Sequence, residues 1–270
     1  MADDISDLFA RTLAGAYDDD PPWAAIQTLR AIGSRAVFDV AAQWLTAPEA
    51  LKRARGAEVL AQLGVGADQP HAFPEEAGAL LAARADAETD PRARASAIIG
   101  LGHIARPQAL PAILRAATDD SALVRHAVAF ALGSFPKASE SHACLLTLMR
   151  DPDEDVRDWA TFGLGLMSDA DSAEIRDAFV QRLDDPFIDV RVEAMAGLAK
   201  RRDPRVVAPL IRQLDNLPEG LNGVIEVGLA WLGMKDMPTG WTARDLADAL
   251  RRGEDNVVPF RRGEPRRDRA

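Results

Sequence analysis

The chain has 270 residues, 47% of them apolar and 27% charged, and its 32 Lys and Arg face 42 Asp and Glu for a formal net charge of −10. That length can bury a sizeable core, and the acidic balance argues against a nucleic-acid partner, whose phosphates are held by clustered Lys and Arg. The single cysteine excludes an intramolecular disulfide framework and points to a reducing, cytoplasmic setting, and no apolar run is long enough to cross a membrane.

The acidic start, Met1-Ala2-Asp3-Asp4-Ile5, lacks the apolar centre of a secretory signal, so none is expected. Ile5–Tyr17 reads as a first amphipathic helix, a second follows Pro22, and Ser34–Leu45 reads as a third. After a helix anchored on Arg53, the Gly- and Pro-rich stretch Gly64–Pro74 reads as a lengthened loop. Pairs of helices then recur. Pro74–Ala85 precedes a helix on Arg94, Gln108–Arg115 one on Arg125, and Ser139–Met149 one on Arg157. Ser172–Leu183 precedes a helix on Arg191, and Arg205–Leu214 one on Asn222. Pro111 and Pro209 fall early in their helices, where the missing N–H is tolerated. Thr242–Arg252 reads as a capping helix with one face to water. Residues 253–270, with five Arg and the apolar island Val257-Val258-Pro259-Phe260, read as an Arg-rich, flexible tail outside a repeat body spanning 1–252.

The helices on Pro22, Arg53, Arg94, Arg125, Arg157, Arg191 and Asn222 share one register. Taking each anchor as position 0, Leu stands at +7 in all seven: Leu29, Leu60, Leu101, Leu132, Leu164, Leu198 and Leu229. Leu makes up about a tenth of ordinary sequence, so chance does not produce this. On a helical wheel the core face of the third copy carries Ala97, Leu101 and Ile104, and that of the fifth Ala160, Leu164 and Met167. Small residues flank it at +6 (Gly100, Ala131, Gly163, Gly197, Gly228), which allows close helix packing.

The pattern Asp-Pro-x-x-x-Val-Arg-x-x-Ala-x-x-x-Leu-Gly, followed by Asp-Pro-Arg-x-Val-x-Pro-Leu-Ile-x-x-Leu, resembles HEAT repeats of the subgroup named for phycobilisome lyases. The resemblance covers Ile5 to Arg252 and implies an all-α, right-handed α-α superhelix of about seven helical pairs. Proteins of this kind are mostly scaffolds and adaptors; a minority attach bilins, hydroxylate a lysine derivative or excise damaged bases.

Arg53, Arg94, Arg125, Arg157 and Arg191 form a ladder with acids just upstream (Asp120, Asp151, Asp155, Asp185, Asp189), read as structural: a guanidinium fork suits bridging between repeats. The histidines are His71, His103, His126 and His142; neither His142 with Cys144 nor His103 with His126 has chelating geometry, and the His-Glu dipeptides of the HEAT-type hydroxylase are missing. No catalytic residue, no metal and no cofactor are therefore expected, and the chain reads as a non-enzyme.

Positions +1, +2, +5 and +9 face away from the core onto the inner wall. There Ile99, His103, His126, Phe130, Trp159, Phe162, Leu166 and Trp231 form a candidate partner-binding groove, with Arg55, Glu58, Asp158, Glu193 and Lys200 as its polar rim. The expected partner is another protein bound on a concave face, with homo-oligomerisation left open and no membrane involved. The rival expectation is a lyase-like or chaperone-like handler of a tetrapyrrole or other apolar cofactor.

Overall fold

A computed structural model describes residues 4–66, 69–216 and 222–254. Among the described residues every regular element is helical, and the sole ladder is an isolated bridge between Gly66 and Gln69. The chain divides into two compact units at the Gly197–Leu198 bond. The expected tail lies outside the described residues from 255 onward.

In the first unit, α1 (Ile5–Arg11) pairs with α2 (Asp20–Ile32), α3 (Arg35–Trp44) with α4 (Ala50–Ala61), and α5 (Pro74–Ala87) with α6 (Pro91–Ile104). The order continues with α7 (Leu110–Arg115) and α8 (Ala122–Leu132), α9 (Ser139–Leu148) and α10 (Glu154–Phe162), and α11 (Ala173–Arg182) and α12 (Ile188–Lys200), whose residues from Leu198 onward belong to the second unit. Short polar side chains start many of them. Asp4, Ser34, Asp90, Asp153 and Ser172 each accept a backbone N–H of the first turn. The even-numbered helices pack on one another, as α4 on α6 and α6 on α8, with the odd-numbered set along one side as in an α-α solenoid. Leu29, Leu60, Leu101, Leu132 and Leu164, all at +7, are fully buried. Small residues set the spacing between α6 and α8: a Cβ on Gly102 would meet Ala131 Cα at 2.7 Å.

Two expected features differ. The first helix ends at Arg11 and not at Tyr17, because the chain turns through Gly15 at φ +71°, a left-handed conformation that glycine accepts freely. After α10 the helix widens into a π-helix over Gly163–Met167. A π-turn bonds i to i+5, so it rotates later residues off the α-helical wheel. Met167, expected in the core, is 48% exposed, while Leu164 keeps its core place.

The arginine ladder has a repeated geometry. Arg53 Nε and Nη2 donate to the Glu88 carboxylate at 2.7 and 2.9 Å, and Arg125 does the same to Asp151 at 2.7 and 2.9 Å. Arg157 donates to Asp185 at 2.9 and 3.0 Å, and Arg94 Nη1 reaches Asp119. The remaining Nη1 of Arg53, Arg125 and Arg157 donates to two carbonyls at the start of its own repeat, Asp151 and Pro152 in the case of Arg157. Arg191 Nη1 does the same to Asp185 and Pro186, although its Nε meets no acceptor among the described residues. Glu88, Asp119, Asp151 and Asp185 each also accept backbone N–H groups of the following turn. One acid thus holds the preceding arginine and shapes the loop that the next arginine binds. Of the acids expected beside the ladder, Asp151 and Asp185 take this role, and Arg94 is held by Asp119, which was not among them.

The second unit holds a 3-10 turn (Pro204–Val206) led by Asp203, then α13 (Val207–Asp215), α14 (Asn222–Leu232) and α15 (Ala243–Glu254). Leu210, Leu214, Leu246, Ala247 and Leu250 form its core. Arg251 of α15 ion-pairs with Asp215 of α13 and with Asp248.

Candidate functional site

The face of α6, α8 and α10 turned away from the odd-numbered helices carries a continuous row of rings. His103 of α6 meets Phe130 of α8 edge-on at 5.3 Å between centroids, and Phe130 meets Trp159 of α10 at 5.1 Å. Trp159 in turn contacts His126 at 5.8 Å and Phe162 at 5.6 Å. Edge-to-face contacts between electropositive ring edges and electronegative faces hold such rows in register. Ile99, His126, Phe130, Trp159 and Phe162 are half-buried, and His103 is exposed with Gln62 hydrogen-bonded to its Nδ1 at 3.0 Å. Partial desolvation and the Arg30 charge lower the His103 pKa, and desolvation also lowers that of His126 against the pull of Asp155 and Asp153, so both rings favour the neutral form.

Phe130, Trp159 and Phe162 enclose a cleft of about 140 Å³ with Ala129, Gly133, Ser134, Gly163 and Met167. The sequence reading missed Met167, since only the π-helix turns it out of the core. Leu166 stands beside it, 40% exposed. Trp231 belongs to the second unit, where Arg202 lies 5.7 Å from its ring and donates to its carbonyl. Lys200 belongs to that unit as well.

The rim differs from expectation at its N-terminal end. Arg55 is 1% exposed and Glu58 7%, because the turn through Gly15 lays Tyr17 over them. Arg55 donates to the Thr12 and Tyr17 carbonyls at 2.9 and 2.7 Å and to Glu58 at 2.9 Å, and its guanidinium lies 4.1 Å from the Tyr17 ring centroid. Tyr17 donates its hydroxyl proton to Glu58, which also accepts from Ser96 at 3.1 Å. Burial, together with the Glu58 charge and hydrogen bond, raises the Tyr17 pKa, so the phenol stays protonated. This end of the wall is closed by its own chain.

At the other end Asp158 of α10 and Glu193 of α12 are half-buried. Burial, and then the charges of Asp189 and Asp155, push Asp158 up to about 6; burial, Asp158 and Asp189 push Glu193 up to about 7. Asp158 Oδ1 and Glu193 Oε2 are shielded from solvent, and no donor among the described residues reaches them.

The remaining polar groups have structural partners. His142 Nε2 lies 2.9 Å from the Pro136 carbonyl and 3.0 Å from Ser168 Oγ, but Ser168 is 1% exposed and also holds Pro136 and Ala170, so the pair staples a loop. His71 fastens the long loop through the Leu60 carbonyl and the Phe73 N–H. Cys144 on α9 is half-buried and outside the cleft lining, and burial pushes its thiol up to about 11, which disfavours the nucleophilic thiolate. Among the described residues no group of three His, Cys, Asp or Glu is placed to hold a metal ion, and no helix is long and apolar enough to cross a membrane.

Residues 78–165 and 143–230 match the family model of HEAT repeats. Protein YibA of Escherichia coli strain K12 and Protein YibA of Escherichia coli O157:H7 are each 41% identical to this chain over 98 residues, 36% of its length. The chain spans 34% of the length of these curated relatives in those matches. The X-ray structure of Escherichia coli YibA superposes with a TM-score of 0.69 over 95% of this chain and 93% of that one, at 23% identity, a likeness of fold.

Proposed function

The chain belongs to the HEAT-repeat family, and we propose that it is a non-enzymatic adaptor or scaffold that binds another protein along the ring-lined face of α6, α8 and α10. The observation that carries this reading is the row of rings from His103 to Phe162, of which half-buried Phe130, Trp159 and Phe162 line an open cleft. Isolated surface rings are ordinary, but contiguous aromatics around a cleft supply the buried anchors that dominate protein–protein affinity. Acidic and polar neighbours at its edge suit the rim of such an interface. The setting we propose is a bacterial cytoplasm, with neither nucleic acid nor membrane as the partner.

The finer resemblance to phycobilisome lyases gains no support from Cys144, whose buried thiol stands apart from the cleft. The test is a quantitative pull-down from the native host with the wild-type chain and with Trp159→Ala and Phe162→Ala, read by mass spectrometry. A partner lost from both variants supports the reading. A partner retained equally by both moves the binding surface elsewhere.

A further inference from the structure

The acids beside the aromatic row say what kind of segment it takes. Asp158 immediately precedes Trp159 on α10, and Glu193 lies on α12. That helix packs close to the π-helix: a Cβ on Gly165 would meet Gly197 Cα at 3.4 Å and the Glu193 carbonyl at 3.5 Å. Asp189 and Asp155 add negative charge, since each raises the pKa of a neighbouring carboxyl. The free protein therefore gathers like charges around two carboxylate oxygens that are shielded from water and accept no hydrogen bond from the described residues. Such an arrangement opposes folding unless a donor arrives.

The ladder shows what these acids would look like in a purely structural role. Glu88, Asp119, Asp151 and Asp185 are each paired with an arginine of the same chain. No arginine or lysine ion pair is formed by Asp158 or Glu193 among the described contacts. Trp159 is the next residue after Asp158 on α10, and a guanidinium both donates to carboxylates and stacks on aromatic faces.

We propose that the aromatic groove takes a protein segment in which an apolar side chain fills the Phe130–Trp159–Phe162 cleft and a neighbouring arginine is bound by Asp158 and Glu193. This rests on the groove reading above and adds the chemistry of the occupant. The net charge of −10 favours the encounter with a basic segment. An apolar segment without a cation would leave both carboxylates shut away unpaired and would bind less well.

The test uses the full chain as bait for a displayed random-peptide library, alongside the double variant D158N/E193Q and the double variant F130A/F162A, each first shown to be folded by circular dichroism. The expected result is recovery of peptides pairing arginine with a large apolar residue, bound about tenfold or more weakly by D158N/E193Q and also weakened by F130A/F162A. Apolar peptides without arginine, or arginine peptides held equally by D158N/E193Q, overturn the inference and leave the groove reading standing. If nothing is recovered, or recovery is indifferent to F130A/F162A, the groove reading falls and the inference with it.

Discussion

Arg157 grips Asp185 at two points, Nε to Oδ2 at 2.9 Å and Nη2 to Oδ1 at 3.0 Å, and the acid's side chain is 1% exposed. Asp185 also accepts the Phe187 N–H at 3.1 Å, and its own carbonyl accepts Arg191 at 2.7 Å. Removing the arginine would leave this shut-away carboxylate with only Arg182 Nη1 at 3.1 Å and the Phe187 N–H, and free the loop that seats Arg191. Arg157→Ala should therefore cost about 2–3 kcal/mol in urea unfolding of the full chain, since Arg182 keeps the charge from being wholly uncompensated. Arg157→Lys should recover little, because one ammonium cannot serve both carboxylate oxygens and the Asp151 and Pro152 carbonyls in one plane. Wild-type-like stability in Arg157→Ala would remove the ladder from the account of this fold.

Two sets of carboxyls should give the chain opposing pH responses. Burial alone would raise Glu88, but Arg53, the Asp90 and Thr89 N–H groups and Arg84 overcome it and hold the carboxyl at about 2. Asp151 and Asp185 are lowered by the same balance of burial against arginine and backbone donors. A depressed carboxyl stabilises the folded state fully above its ordinary pKa, here 4.5 for Glu88, and that stability is lost as pH falls toward 2. Asp158 and Glu193 work the other way. Their raised values favour the folded state at low pH, and the penalty grows as pH climbs from their ordinary values of 3.8 and 4.5 through about 6 and 7. At pH values well above neutrality Glu193→Gln should thus stabilise the folded chain by on the order of 1 kcal/mol after allowance for solvent screening, read as a higher melting temperature, and it should change little at pH values below 4.5. An equal gain at both ends would show that the charge is not the cause.

Much of this architecture was legible in the sequence because its cause is local and repeated. Leu at +7 in every copy and the Asp-Pro turns mark helical pairs without reference to anything distant. The ring row from His103 to Phe162 was legible for the same reason, since before the π-helix a fixed register assigns each position to a face. The failures were non-local or broke the register. Tyr17 covers Arg55 and Glu58 across 38 residues of chain or more, and nothing in its own neighbourhood announces that contact. Met167 reached the surface because the helix widens after Phe162, a departure that a uniform wheel cannot represent. Asp119, which holds Arg94, was not among the acids expected in the ladder, because loop geometry decides which of Asp119 and Asp120 turns inward.

Two glycines should respond oppositely to the same substitution. A methyl on Gly102 would fall 2.7 Å from Ala131 Cα and 2.9 Å from its Cβ, both fixed parts of a packed helix, so Gly102→Ala should destabilise by about 1–3 kcal/mol. On Gly78 the nearest atom is the Ile104 Cγ2 at 3.8 Å, ordinary contact, so Gly78→Ala should stabilise α5 by about 0.5–1 kcal/mol through helix propensity. Thermal unfolding of both variants checks the pair. Equal effects would mean that α6 and α8 can separate without cost.

The rings of the candidate site should be separable from core rings by measuring stability and binding together. Phe179 is fully buried, and its ring blocks the space that a Cβ on Gly197 would take at 2.8 Å, so Phe179→Ala should cost about 3–5 kcal/mol of folding stability. Phe162 is half-buried, and its ring partner is Trp159 at 5.6 Å. Losing that edge-to-face contact and part of its burial should cost Phe162→Ala only about 1 kcal/mol of stability. If the row anchors a partner, the same variant should weaken that partner's binding by about 2 kcal/mol or more, since a half-buried ring completes its burial only in the complex. Trp159→Ala should show the larger binding loss, because it removes contacts to Phe130, His126 and Phe162 together. A Phe162→Ala chain that unfolds as readily as Phe179→Ala and binds its partner normally would assign the rings to the core and send the search for the interface to another face.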